Sequence, residues 1–251
     1  MNDENKYLHR CDIWAKLLRA GILSCKLETF YKYARIAANK LGIVKKKTNC
    51  TVRVIAKSSL TILHTDCTQI RTDDGGRWYL NIIYDNFSKA ILGIKAMLNP
   101  NSLDVAENLR VVIRKYKLHE KRFLLYCDGG PENRKHVDEL LADFPQIVKC
   151  VTSFSKGIYN NVIESYNNKF KRKHIHFLDL SCHEKVPDQL PDFRKTLNDV
   201  PMALIGALSP NEVLKGLKPW EDIWPQLKNN MDEAKIQRIF VNQLSCCSLP
   251  T

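Results

Sequence analysis

Apolar residues recur at helical spacing twice near the start of the chain, at Ile13, Leu17 and Leu18 and again at Phe30, Tyr33 and Ile36, with Gly21 and Ser24 between the two sets. This predicts two short helices and a turn, with Ser24 in the N-cap region of the second. Beyond Lys47 the period changes. The runs TVRVIAKSSLTILHTDCTQIRT, RWYLNIIYDN and KAILGIKAML are rich in β-branched and aromatic residues, and DDGG and a turn near Asp85 to Ser88 separate them. They predict three strands in an antiparallel meander, with Asp74-Gly75-Gly76 supplying the positive φ of a tight hairpin. Next, DVAENLRVVIRKYKL places Val105, Leu109, Val112, Ile113 and Tyr116 on one helical face. A strand RFLLYCD, a helix around His136 to Phe144 and a strand QIVKCV follow. Strands that alternate with helices pair in parallel, so the centre reads as an α/β mixed sheet, antiparallel in its first part and parallel in its second.

Composition narrows the setting. With 251 residues, 44% of them hydrophobic, the chain can fill the core of one large domain and a small one. No apolar run approaches the ~18 residues that cross a bilayer, and MNDENKYLHR holds no signal-peptide segment. A cytosolic, reducing location without membrane contact is expected. Nine cysteines, an odd number without a CxxC pair, predict neither a disulfide framework nor a structural zinc. The formal net charge of +12 calls for a polyanionic partner, since Lys and Arg displace the counterions of nucleic acid. Residues 1–47 carry eleven basic and four acidic side chains, whereas residues 221–251 carry three and four. In the basic N-terminal segment, Thr29, Tyr31, Lys32 and Arg35 share the outer face of the second helix. A helix-turn-helix would insert that face into the major groove; the other reading is a helical pair that only packs on the main domain.

Three carboxylates sit where they are informative. Asp66 lies within the strand LTILHTDCT, Asp128 ends RFLLYC just before Gly129 and Gly130, and Glu164 follows the small, polar loop SFSKGIYNN at the start of a helix. On that helix Ile163, Tyr166 and Phe170 can pack inward, and Glu164, Asn168 and Lys171 form the adjacent polar stripe. Any one of the three acids alone reads as a turn, cap or solvated residue.

Together, with 35 residues between Asp128 and Glu164, they carry a resemblance. The words HTDCTQIR, WYLNIIYDNFSKAILG, CDGGPEN and KGIYNNVIESYNNKFK, and NDVPMALIGALSPNEVLKG after them, resemble the catalytic core of the DDE group, the retroviral integrases and bacterial insertion-sequence transposases. The similarity spans roughly residues 55 to 217. It implies a ribonuclease-H-like five-stranded sheet of order 3-2-1-4-5 flanked by helices. It divides the chain into a helix-turn-helix-like basic segment (1–48), the integrase catalytic core (49–220) and a C-terminal tail (221–251). It further implies that Asp66, Asp128 and Glu164 hold two Mg²⁺ or Mn²⁺ ions, the hard cations that carboxylate oxygens select. The implied activity is metal-dependent cleavage that frees a DNA 3′-end, followed by transfer of that end into target DNA. The implied partners are mobile-element and target DNA, further copies of the chain assembled on it and, possible in this group, a separate small DNA-binding subunit. The site of action would be a bacterial nucleoid.

Departures and rivals complete the reading. Where many such transposases place an aspartate four residues before the glutamate, Asn160 stands here, followed by Asn161. His9, Cys11 and Cys25 do not make up the zinc ligand set of the retroviral N-terminal domain, which favours the bacterial branch. Lys156, Lys169, Lys171, Arg172 and Lys173 surround Glu164 and would bind phosphate rather than read bases. His174, His176, Cys182 and His183 fit no standard metal spacing, Cys67 and Cys127 read as inert buried thiols, and Glu132 reads as an acid at a helix start and a reserve carboxylate. The alternatives are an inactive DNA-binding descendant of a transposase and a nuclease of the same fold that cuts without joining.

Overall fold

The computed structural model describes residues 8–40, 54–152 and 174–247. The chain forms two compact units, one of residues 50–199 and one that groups 1–49 with 200–251. Residues 200–220 therefore sit with the N-terminal segment and not with the sheet.

The 50–199 unit is built on β1 (Ile62–Arg71), β2 (Arg77–Asp85), β3 (Ile91–Met97), β4 (Phe123–Asp128) and β5 (Ile147–Thr152), in the order β3-β2-β1-β4-β5. The β1–β2 and β2–β3 pairs are antiparallel and the β1–β4 and β4–β5 pairs parallel, as the sequence leads one to expect. At the first hairpin Gly75 takes φ +85°, and the Asp74 carboxylate accepts from Thr72 Oγ1 at 2.5 Å, Gly76 N–H at 3.2 Å and His183 N–H at 2.7 Å. These hydrogen bonds, Thr72 foremost, hold the Asp74 carboxyl down at about 2. Gly76 serves by its size instead: a β-carbon there would run into the His183 ring.

Helix α3 (Ser102–Lys115) starts at the N-cap Asn101, whose side chain accepts from Asp104 N–H at 2.8 Å. Its buried residues Val105, Leu109, Val112 and Ile113 face the sheet side by side with α4 (His136–Ala142). Close approach is possible because Gly93 has no side chain; a β-carbon there would lie 2.6 Å from both Asn108 Oδ1 and Val112 Cγ2. The opposite face is covered by α5 (Val186–Asp199), which sets Val186, Leu190, Phe193 and Leu197 on Ile70, Leu80, Ile82 and Ile91. Near its end Asn198 donates to the Ile91 carbonyl and accepts from the Ile91 N–H, both at 2.9 Å.

In the other unit, α1 (Arg10–Arg19) buries Trp14, Ala15 and Leu18. It ends in a Schellman turn, with Gly21 at φ +67° and bonds from Gly21 N–H to the Leu18 carbonyl and from Ile22 N–H to the Leu17 carbonyl. Helix α2 (Leu27–Lys40) begins later than Ser24, whose carbonyl instead accepts from Arg238 at 2.9 Å. The short α6 (Pro210–Leu214) opens with a capping box between Ser209 and Glu212. Residues expected as a tail form the 24-residue helix α7 (Trp224–Cys247). Trp14 is 1% exposed, donates to the Cys25 carbonyl at 2.9 Å, lies 6.0 Å from the Trp224 ring and clusters with Ala203, Ala207 and Met231.

Glu212 also takes a two-point ion pair from Arg19, at 2.5 and 2.9 Å. Burial raises its pKa, but the Arg19 guanidinium and the Ser209 bonds outweigh that and leave it below 4.5. A depressed carboxyl stabilises the fold above its unfolded value and loses that contribution as pH falls through the folded one. Glu212→Gln, which can still cap, is expected to lose only about 0.5 kcal/mol near pH 7, because the pair is solvent-screened. The difference from wild type should vanish in urea titrations below the folded pKa; a constant difference at all pH values would assign the effect to packing.

Candidate active site

The parallel pairing of β1 with β4 gathers the first two acids. In that ladder Ile62 faces Leu124, Leu63 faces Leu125 and His64 faces Tyr126. Continuing the same register two residues further brings Asp66 level with Asp128. Side chains alternate along a strand, so both carboxylates share the face on which His64 stacks against Tyr126 with ring centroids 5.4 Å apart. Strands run about 4.8 Å apart, a spacing that lets two such carboxylates converge on one cation. Both aspartates are half-buried. Asp66 Oδ1 accepts from the Cys67 N–H at 2.7 Å; Asp128 Oδ1 accepts from Gly130 N–H at 3.1 Å and from Asn133 Nδ2 at 2.6 Å. Among the described residues both hydrogen bonds to Asp128 end on Oδ1.

The surroundings are electrically distinctive. Burial pushes the Cys67 thiol up to about 12; Asn81 pulls it back, and the charges of Glu132, Asp66 and Asp128 add to the rise. Three carboxylates therefore act on one thiol. Burial likewise lifts Cys127 to about 11, against the pull of Lys149. Both cysteines stay protonated at neutral pH, as inert thiols do. His64, enclosed by the sheet and facing Lys89, drops to about 4 and is neutral. Glu132 folds back over Gly130, its carboxylate oxygens 2.5 Å from where a β-carbon would be.

Glu164 and the basic residues Lys156, Lys169, Lys171, Arg172 and Lys173 lie outside the described residues, as does the Asn160-Asn161 pair. On α2, Thr29, Lys32 and Arg35 are exposed, whereas Tyr31 is partly covered. Burial, and then the Cys11 side chain that it meets, raise the Tyr31 hydroxyl to about 12. Three of the four expected DNA-facing residues are thus on the open face, and Tyr31 is turned in part toward α1. His174, His176, Cys182 and His183 form no ligand set; His183 instead stacks on Trp78 at 4.5 Å and its carbonyl accepts from the indole N–H. Among the described residues the group with metal-ligand spacing is His9, Cys11 and Asp12, with ligand atoms within 4.8 Å. There the His9 ring caps α1, accepting from Cys11 N–H at 3.4 Å. Among the described residues no helix is long and apolar enough to cross a membrane.

No family model and no curated protein matches the sequence. Solved structures do. A chain of the simian T-cell lymphotropic virus intasome in complex with PP2A regulatory subunit B56 gamma superposes with a TM-score of 0.55 at 13% identity, over 81% of this chain and 74% of that one. The fold is that of retroviral integrase catalytic cores. Two such cores also align. They are the HTLV-2 integrase catalytic core domain in complex with magnesium, in its trimeric form (16% identity, 62% of this chain and 97% of that one, TM-score 0.49), and the BIV integrase catalytic core domain (19%, 61% and 93%, 0.47). The ribonuclease-H-like sheet expected from the sequence is present, and on this integrase-core frame Asp66 occupies the central strand and Asp128 the end of its parallel neighbour.

Proposed function

We propose that the chain is a polynucleotidyl transferase of the DDE group that cuts DNA to free a 3′-end and joins that end to target DNA. The observation that carries this reading is the parallel pairing of β1 with β4, in which His64 faces Tyr126 two residues before Asp66 and Asp128, in an integrase-core sheet. The donor set fits divalent cations: two half-buried carboxylates, hard oxygen donors, and an Asp128 whose hydrogen bonds load a single oxygen. Asp66 and Asp128, with Glu164 from the sequence, would hold two Mg²⁺ or Mn²⁺ ions. Such a pair polarises the phosphoryl group and stabilises the attacking and leaving oxygens of an in-line displacement. The chain's own task is then to fix the carboxylates and to deliver DNA to them.

Delivery falls to basic surface. Lys32 and Arg35 on α2 are exposed, and Lys156, Lys169, Lys171, Arg172 and Lys173 extend the set from the sequence. Transposition joins two DNA ends, so the active species is an assembly of copies on DNA, with a small DNA-binding subunit as an optional addition. The test incubates the protein with supercoiled plasmid and a labelled duplex with a free 3′-hydroxyl, with and without Mn²⁺, beside Asp128→Asn and Glu164→Gln. Metal-dependent label transfer by wild type alone supports the reading. Nicking without transfer identifies a nuclease, and DNA binding without either identifies an inactive binding module. The double variant Lys32→Ala, Arg35→Ala is expected to reduce the slope of log affinity against log salt by about 1.8, at roughly 0.9 per phosphate contact. An unchanged slope removes α2 from the interface.

A further inference from the structure

We propose that Asn133 is the positioning residue of Asp128, holding its carboxylate so that one oxygen is committed to the protein and the other is presented to a divalent cation. This deepens the function proposed above and rests on it. Asn133 is 2% exposed and donates through Nδ2 to Asp128 Oδ1 at 2.6 Å, where the Gly130 N–H also arrives at 3.1 Å. Two donors on one oxygen fix the rotation of the carboxylate and leave the lone pairs of Oδ2 without a protein donor among the described residues.

The Asn133 backbone is itself held from both sides. Its backbone N–H donates to the Gly130 carbonyl at 3.1 Å, and its own carbonyl accepts from Lys149 Nζ, which also pairs with Asp138 at 2.6 Å. Lys149 is thereby engaged by Asn133 and Asp138. That matters because an ammonium on the carboxylate would compete with a metal ion, whereas an amide donor orients it and adds no positive charge. The amide cannot flip, because Oδ1 would then face a carboxylate oxygen. In the orientation it keeps, Asn133 Oδ1 is buried with no hydrogen-bond partner among the described residues. Leaving a buried acceptor unsatisfied is costly, and a residue that only filled space would be better apolar. The orphaned oxygen is what the protein tolerates to point the Nδ2 donor at Asp128.

The test measures Mn²⁺ binding by titration calorimetry on the full chain, for wild type, Asp128→Asn, Asn133→Ala and Asn133→Leu, with melting curves recorded without metal. Outer partners of metal ligands typically govern affinity by about 10- to 100-fold, and that loss is expected in both Asn133 variants. Asn133→Leu, which keeps the branched shape and removes the orphaned oxygen, should melt without metal no lower than wild type. A purely structural role predicts the reverse pattern, lower melting with wild-type Mn²⁺ affinity, and overturns the proposal. If a variant melts lower, its titration is made at a temperature where circular dichroism shows it folded; wild-type affinity there equally overturns it. Wild type that binds no Mn²⁺ refutes the proposed function itself. Binding lost in Asp128→Asn but intact in both Asn133 variants refutes only the positioning role.

Discussion

Asp66→Asn is expected to reduce both strand cleavage and strand joining by roughly 10³-fold or more, the scale of losing a principal electrostatic element of a phosphoryl-transfer site. Asparagine keeps the size of the side chain and its place in β1, so the sheet should be undisturbed; what disappears is a negative charge facing Asp128. DNA affinity in the absence of metal should change little, because that term comes from basic side chains. Asp66→Asn combined with Asp128→Asn should be no worse than the poorer single variant, as residues acting as one unit are strongly non-additive. The measurement is label transfer with Mn²⁺ at saturating DNA, with circular dichroism to show the fold intact. A folded variant that keeps a tenth of wild-type transfer would move the chemistry away from this pair of strands.

The largest stability effect is expected at Trp14. Truncation to alanine removes a side chain that is 1% exposed, breaks its bond to the Cys25 carbonyl and strips a neighbour from Trp224 and Met231. Large aromatic-to-alanine changes in a core cost about 3–5 kcal/mol. Hydrogen exchange should show the loss as faster opening of α1 and of the first turns of α7, and Trp14→Phe should recover part of it. Protection of those amides within a factor of about ten of wild type, equivalent to 1.4 kcal/mol, would show that the cluster closes over the gap.

Which parts of this architecture were legible in the sequence follows from how each element satisfies its backbone. All five strands could be read, because β-branched runs bounded by Asp-Gly or Asn-rich turns have few competing solutions, and their antiparallel-then-parallel order followed from the helices between them. Helix α5 could not. Pro187 and Pro191 interrupt its pattern, and the packing of Val186, Leu190, Phe193 and Leu197 on the sheet outweighs the N–H that Pro191 lacks inside the helix. Helix α7 escaped for a different reason: Leu227 and Met231 face the cluster, yet Ile236, Ile239, Phe240 and Val241 are exposed, so its apolar residues do not form a single stripe. At the site, Asp66 and Asp128 stood out as charges on apolar strands. Asn133 did not, since an asparagine after Gly-Gly-Pro-Glu reads as one more turn residue until its donor is seen on the Asp128 carboxylate.

The bonds that Asn198 makes to Ile91 have a consequence for the molecule's behaviour in a crowded solution. β3 is an edge of the sheet, and a bare edge is a template on which another chain can add a strand. The amide of Asn198 occupies the outward N–H and C=O of Ile91 together, and Arg194 takes the Leu92 carbonyl at 2.8 Å. An incoming strand would have to displace both side chains before forming its first pair of bonds at that point. Replacing Asn198 with leucine would strip the Ile91 N–H and C=O of these partners and reopen the edge, so the cost would surface both as lower stability and as aggregation on heating.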